Sequence, residues 1–172
     1  MKKLNLGCGN DIKKGYVNLD VAEIPGVDVI WDINKLPLPF DSEEFDEILC
    51  NDIIEHIEDY PQLLKELHRI LKKGGSLKIR VPHFTSANNF KDPTHKNRFS
   101  IETFDFFTPN SERPYYFQFA FSKIVSKKIT FSRLYRPISR LVNLSNFTKR
   151  GYEMSFLKAV FPARNIEITL CK

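Results

Sequence analysis

The sequence contains no apolar run near the roughly 18 residues that a membrane-spanning helix needs. Behind Met1-Lys2-Lys3-Leu4 there is no apolar core of a secretion signal, so a cytoplasmic protein is expected. Cysteine is scarce: Cys8, Cys50 and Cys171 form no Cys-x-x-Cys and leave an odd one over. That excludes a disulfide framework and a zinc site built on thiolates, and no metal site is expected. Glycine is sparse where a dinucleotide fingerprint would need it. Gly7-Cys8-Gly9 lacks its third glycine, the position being Ile12, and the acid that follows is Asp20, too close for a full crossover helix. A Gly-Lys-Ser/Thr phosphate loop is also missing, so NAD and nucleoside triphosphates are poor candidates.

What is present is ordinary for a globular domain, 42% hydrophobic and 27% charged over 172 residues, and a single domain 1–172 is expected. Charge is uneven. Residues 1–111 hold 14 Lys/Arg against 18 Asp/Glu, and residues 112–172 hold 12 against 3. A mildly acidic first part thus precedes a strongly basic tail, which suits an anionic partner or a solvated basic face.

Apolar runs predict strands at Lys3–Leu6, Tyr16–Val21, Val27–Trp31, Phe45–Cys50 and Ser76–Val81. Leu36-Pro37-Leu38-Pro39 reads as an extended loop, since proline cannot serve a central strand. Leu63, Leu64, Leu67, Ile70 and Leu71 lie on one face of a helix expected over Tyr60–Lys73 and stopped by Gly74-Gly75. Strands alternating with short connections and a helix give an α/β domain with a mostly parallel sheet, whose ligands sit at the carboxyl ends of the strands. From His83 to Tyr116 the pattern is irregular, with a helical turn expected near Ile101–Phe107. Phe117–Phe121 with Lys123–Phe131 predicts a further strand, Leu134–Val142 a basic amphipathic segment interrupted at Pro137, and Asn165–Cys171 a closing strand.

The inferred strand ends carry Asp11, Asp20, Asp32, Asp52 and Glu55, an acidic rim that repels pyrophosphate and suits a cationic ligand bearing hydroxyls and an amine. Leu4-Asn5-Leu6-Gly7-Cys8-Gly9, Asn18-Leu19-Asp20, Trp31-Asp32-Ile33, Leu36–Asp41, Phe45–Ile48, Ile54-Glu55-His56-Ile57 and Leu71–Gly75 follow in order. Together they resemble the successive motifs of class I S-adenosylmethionine-dependent methyltransferases, nearest the small "type 11" methyltransferase-like proteins, over roughly residues 3–83. The stretch between Gly9 and Asp20 is shorter than the family's, which usually holds a helix there. The resemblance implies a Rossmann-like three-layer fold, a mostly parallel central sheet with an antiparallel C-terminal strand. Residues 1–83 would form the cofactor half, and 84–172 an acceptor-side cover with a basic helical insert and the last strands.

The same resemblance implies S-adenosylmethionine as cofactor. Gly7, Cys8 and Gly9 would approach its methionine moiety and ribose, and Asp20 would accept from the ribose hydroxyls. Asp32 and the Ile33 N–H would meet the adenine, and Asn51 the methionine end. His83, and Asp92 paired with His95, are candidate catalytic groups, because methyl transfer to a hydroxyl needs one proton removed. Glu55 and His56 read more simply as polar groups at a helix start, His68 as a surface residue. No Asn-Pro-Pro-Tyr signature supports methylation of base or glutamine nitrogens, and nucleic acid is not an expected partner. The acceptor is expected to be a small molecule or saccharide-like, since the resembling proteins are often associated with cell-surface saccharide assembly. The basic tail, Arg133, Arg136, Arg140, Lys149 and Arg150 interleaved with Phe131, Leu134, Tyr135, Leu141 and Phe147, is a cap with a candidate peripheral contact to an anionic membrane surface. A non-catalytic cofactor- or nucleotide-binding module is the alternative; a nicotinamide-dependent oxidoreductase is disfavoured by the missing glycine.

Overall fold

A computed structural model describes residues 1–109 and 111–172; Asn110, in the irregular stretch, lies outside the described residues. Seven strands form one sheet in the order β3-β2-β1-β4-β5-β7-β6. They are β1 Lys3–Leu6, β2 Val17–Asp20, β3 Val29–Ile30, β4 Phe45–Asn51, β5 Leu71–Pro82, β6 Lys123–Ile129 and β7 Asn165–Cys171. The first five pair in parallel, and β7 runs antiparallel to both neighbours, β5 and β6. This is the Rossmann-like sheet with an antiparallel closing strand that the motifs imply. No helix among the described residues is long and apolar enough to cross a membrane.

Register divides the sheet into two chemically distinct faces. Leu4, Leu6, Ile48, Cys50, Leu77, Ile79, Ile168 and Leu170 are buried on one face, in a core shared with Leu63, Leu64, Leu67 and Ile70 of helix α1, Tyr60–Ile70. The opposite face carries Asn5, Asn18, Glu47, Asn51, Lys78, Arg80, Glu167 and Thr169. No helix intervenes between β1 and β2, β2 and β3, or β3 and β4. Over β1 and β2 the polar face is instead met by the loop after β1. Asn5 Nδ2 donates to the Asp11 carbonyl at 2.8 Å, and Asn18 Oδ1 accepts from Lys13 N at 2.9 Å. Two buried asparagines thus take the place of apolar helix contacts.

Helix α1 starts where Asp59 accepts from Gln62 N and ends at Ile70, three residues before the expected Lys73. Leu71 leaves the helix because it is fully buried opposite Phe45 of β4. Glu66 of α1 accepts from Leu38 N at 2.8 Å and pairs with Arg69, fastening the extended 36–41 loop to the helix. Beyond β5 come the one-turn α2 Asn88–Lys91, a 3-10 turn Thr103–Phe107, then α3 Arg136–Val142, α4 Asn146–Met154 and α5 Leu157–Val160. Pro137 lies in the first turn of α3, where its missing N–H is harmless, so it opens that helix instead of interrupting it. Phe117–Phe121 lies outside the strands, and β6 begins only at Lys123.

Candidate functional site

The loop after β1 is held by backbone geometry. Gly7 and Gly9 have φ of 62° and 48°, which glycine adopts without penalty. A Cβ on Gly7 would lie 2.1 Å from Ile53 Cδ1, so the loop after β4 packs directly on this glycine. A Cβ on Gly9 would meet nothing within 4 Å: the space over that residue is open to a ligand. Asp20, ending β2, accepts from Gly9 N at 2.7 Å and from Ala22 N at 3.0 Å, one bond to each oxygen. An ionised carboxylate offers about four lone-pair sites, so about two remain for vicinal hydroxyls. Cys8 is buried and its N–H donates to the Leu19 carbonyl; burial, with Asp20 beside it, pushes its thiol up.

Asp32 Oδ1 accepts from the Asn34 backbone and side chain, an Asx turn that holds its carboxyl below the usual range and leaves Oδ2 without a partner in the turn. Ile33 packs, half-buried, against the core. Asn51, the last residue of β4, lies on the polar sheet face, lining a groove of about 290 Å³ with Lys78, Arg80 and Thr169. The acidic rim is partly neutralised: Asp52 is gripped by Arg80, with Nε 3.1 and 3.0 Å from its two oxygens, and Asp11 pairs with Lys13.

At the carboxyl ends of β4 and β5 a cavity of about 890 Å³ opens, lined by charged groups that include Asp52, Glu55, Arg80, Lys91 and Arg164. Its floor is the 3-10 turn Ile54–His56, and its wall is the loop that carries Asp92 and His95. The two are locked together, the Glu55 carbonyl accepting from Lys96 N at 2.8 Å and from Asn97 N at 3.0 Å. The Glu55 side chain is fully buried and neither carboxylate oxygen has a hydrogen-bond partner, His95 Nε2 standing 4.0 Å from Oε1. Burial, with Asp52 and Asp92 nearby, pushes its carboxyl up to about 8. His95 Nδ1 is likewise buried and unpartnered, and its ring meets His56 edge-on at 4.6 Å.

Thr94 connects this cluster to Asp92. Asp92 Oδ1 accepts from Thr94 N at 2.9 Å and from the Thr94 hydroxyl at 2.6 Å. With its proton given to Asp92, the hydroxyl accepts from His56 Nδ1 at 2.8 Å. That fixes the His56 tautomer and leaves Nε2 with a free lone pair. Asp92 therefore orients His56 through Thr94. Its expected partner, His95, lies at 3.9 Å, beyond hydrogen-bond range.

His83 does not line the cavity. It is fully buried; Nδ1 accepts from Thr85 N at 3.1 Å and Nε2 meets Glu153 Oε1 at 2.9 Å. Both nitrogens are occupied, so this residue braces the end of β5 and cannot take a proton from an acceptor. Sequence alone reads Glu55 and His56 as polar groups at a helix start and does not single out Thr94; the structure joins His56 to Thr94 and sets Glu55 in the cavity lining. The available signal was an acid and an imidazole inside the apolar run Ile53-Ile54-Glu55-His56-Ile57. A charge within such a run is buried with its neighbours.

Residues 4–79 match the family model described as "Methyltransferase domain". An uncharacterized protein of Methanocaldococcus jannaschii is 36% identical over 80 residues, 46% of this chain and 38% of that protein. A demethylmenaquinone methyltransferase of Listeria welshimeri is 34% identical over 68 residues, 40% of this chain and 28% of that enzyme. The alignments thus span less than two-fifths of these relatives' length. Among solved structures, a SAM-dependent methyltransferase from Archaeoglobus fulgidus superposes with a TM-score of 0.64 at 18% identity, over 99% of this chain and 86% of that one. One from Mesorhizobium loti gives 0.59 at 14% identity, over 99% and 90%. The fold extends over the whole chain, the sequence likeness over its first half. With the open glycine loop and the Asp20 carboxylate behind it, residues 4–79 thus resemble a methyltransferase domain, and the fold of the whole chain is that of S-adenosylmethionine-dependent methyltransferases of known structure.

Proposed function

We propose that the protein transfers the methyl group of S-adenosylmethionine to an oxygen of a small polar acceptor, saccharide-like in its density of hydroxyls. The supporting observation is the shared segment Asp52–His56. Its Ile53 packs on Gly7 in the cofactor loop, while Asp52, Glu55 and His56 line the cavity. Donor and acceptor therefore meet on the two sides of one short turn. Gly7, Cys8 and Gly9 lie along the methionine and ribose, Asp20 takes the ribose hydroxyls, Asp32 and the Ile33 N–H meet the adenine, and Asn51 faces the methionine end.

The cofactor supplies a methyl already activated on a sulfonium, so the chain's task is alignment and removal of one proton. The bare Nε2 of His56 is the group placed to receive that proton, with Asp92 holding His56 through Thr94. Lys91 and Arg164 give the cavity a cationic side that suits carboxylates or phosphates on the acceptor. So charged a lining does not suit a long apolar quinone.

S-adenosylmethionine or its demethylated product, and not NAD, should raise the melting temperature. A hundredfold excess over Kd corresponds to about 2.7 kcal/mol, a shift of about 5–11 °C at this size. Asp20→Ala should abolish the shift, and no shift at millimolar cofactor would sink the reading. A binding module without turnover is the second reading, favoured by the helix-free link between β1 and β2. Cofactor binding with no radiolabel transferred to any sugar, sugar acid or sugar phosphate would select it.

Residues 133–160 carry six Lys/Arg and one Asp/Glu. Leu134, Leu144, Phe147 and Phe156 among them are each more than 70% exposed. These features support peripheral contact with an anionic membrane, and a cytoplasmic, membrane-proximal location.

A further inference from the structure

We propose that Glu55, His56 and His95 form a binding site for a divalent cation of the first transition row, and that this cation holds the acceptor by its oxygens. The second clause rests on the methyltransferase reading; the first does not. One donor atom from each residue lies within 4.8 Å of the others. Donors around a zinc-sized ion sit about 2.0–2.2 Å from it, hence about 3–4 Å apart, so closure by about an ångström completes the set.

Three independent features point to an ion. Both Glu55 carboxylate oxygens are buried without a hydrogen-bond partner, and so is His95 Nδ1. A buried polar atom left unpaired is costly, and three in one cluster mark a place where something else binds. The His56 tautomer is fixed by the Asp92–Thr94 relay, the carboxylate-backed arrangement that orients a metal-ligating imidazole. The backbone bonds from Lys96 and Asn97 to the Glu55 carbonyl hold the two ligand-bearing segments in place without the ion.

Two imidazoles and one carboxylate select zinc, manganese, iron or cobalt over magnesium or calcium, which prefer all-oxygen sites. Three protein donors leave coordination positions open, and the cluster lies on the cavity wall. A hydroxyl or carboxylate oxygen of the acceptor can fill them. Coordination lowers the pKa of a bound hydroxyl, so with the cation in place His56 Nε2 serves as a ligand and the side-chain base is no longer needed.

The test is titration of the full chain with Co2+, followed by visible absorption, with Zn2+ as competitor. One Co2+ per chain, displaced by Zn2+, is expected. Glu55→Gln and His95→Gln should each weaken binding at least 100-fold. Thr94→Val, which touches no proposed ligand atom, should weaken it about 10-fold by releasing the His56 tautomer. His68→Gln should change nothing. Absence of stoichiometric binding, or unchanged binding in both Glu55→Gln and His95→Gln, overturns the site. If those two variants melt without cooperativity, Thr94→Val decides. Glucuronate should shift the Co2+ bands, and bands that stay fixed overturn the acceptor clause. S-adenosylhomocysteine melting shifts, run in parallel, separate the two readings. A shift without Co2+ binding removes the cation alone, and Co2+ binding without a shift removes the methyltransferase reading alone.

Discussion

Gly7 and Gly9 share a positive φ, but the structure gives them different tasks. At Gly7 an added methyl meets Ile53 at 2.1 Å, so Gly7→Ala combines backbone strain with overpacking. The expected loss is about 2–4 kcal/mol in urea unfolding, with cofactor affinity lowered because the Asp52–His56 turn is pushed away. At Gly9 the same methyl enters open space, so only strain remains, about 1 kcal/mol. Gly9→Ala should nevertheless weaken S-adenosylhomocysteine binding at least tenfold, because the methyl occupies the ligand's approach to the backbone. Equal loss of stability in the two variants, or unchanged binding in Gly9→Ala, would count against the loop as cofactor cradle. The sequence made both glycines legible as candidates. It could not separate them, since Ile53 is 46 positions from Gly7 in the chain.

At the scale of elements, the polar face of the sheet has its own electrostatics. Glu47 on β4 is buried, which pushes its carboxyl up, but hydrogen bonds from Lys78 and Tyr16 and the charge of Lys3 outweigh burial and hold it below the usual range. The same contact pushes the Tyr16 phenol up to about 12. A depressed carboxyl contributes stability that is present above its unfolded pKa and is lost as pH falls through the folded one. Lys78→Met should therefore cost about 1 kcal/mol at pH 7, at the low end because Lys78 is half exposed. The gap between variant and parent should close below about pH 4; a gap independent of pH would mean that Lys78 acts by packing alone. Helices α3–α5 make the second element-level prediction. Sedimentation with phosphatidylserine vesicles, and not with phosphatidylcholine, is expected, and Phe147→Ser with Phe156→Ser should reduce it severalfold. Equal binding to both lipids would remove the anionic-surface reading. The strands were readable because their apolar residues alternate or run continuously, as in Asn165–Cys171. Helix α4 was not. It depends on a Ser145–Thr148 capping box and on burial of Tyr152 beneath residues distant in sequence, neither of which has a periodic signature. The end of α1 was misplaced for a related reason: Leu71 fits the helical stripe, and only its tertiary place opposite Phe45 draws it into β5.

For the molecule as a whole, residues 1–83 and 84–172, the proposed cofactor half and acceptor cover, share one apolar core. Strand β5 pairs with β7 along seven residues from Ser76 to Pro82, so the sheet beyond β5 is completed by the last residues of the chain. Ile166, Ile168 and Leu170 bury against the same apolar face as Leu77, Ile79 and Val81. His83, expected as catalytic, proves to be the junction. Glu153 Oε1 of α4 takes His83 Nε2 at 2.9 Å and Ile101 N at 2.7 Å, while His83 N donates to the Arg164 carbonyl. One buried carboxylate thus ties the end of β5, the cover and α4 together. We therefore predict a single cooperative unfolding transition, with far-ultraviolet dichroism and Trp31 fluorescence superimposable in urea. Residues 1–83 alone should not fold, because β5 would become an open edge with its apolar face stripped. Glu153→Ala leaves two buried donors unpaired, each worth about 1–3 kcal/mol, and should lower the midpoint of that one transition as seen by both probes. Two separated transitions, with Glu153→Ala moving only the later half of the chain, would show instead that the cofactor half is an independent unit. The cover would then be an appendage that the cofactor site can fold without, and His83 would have no part in holding the β4–β5 end of the cavity in place.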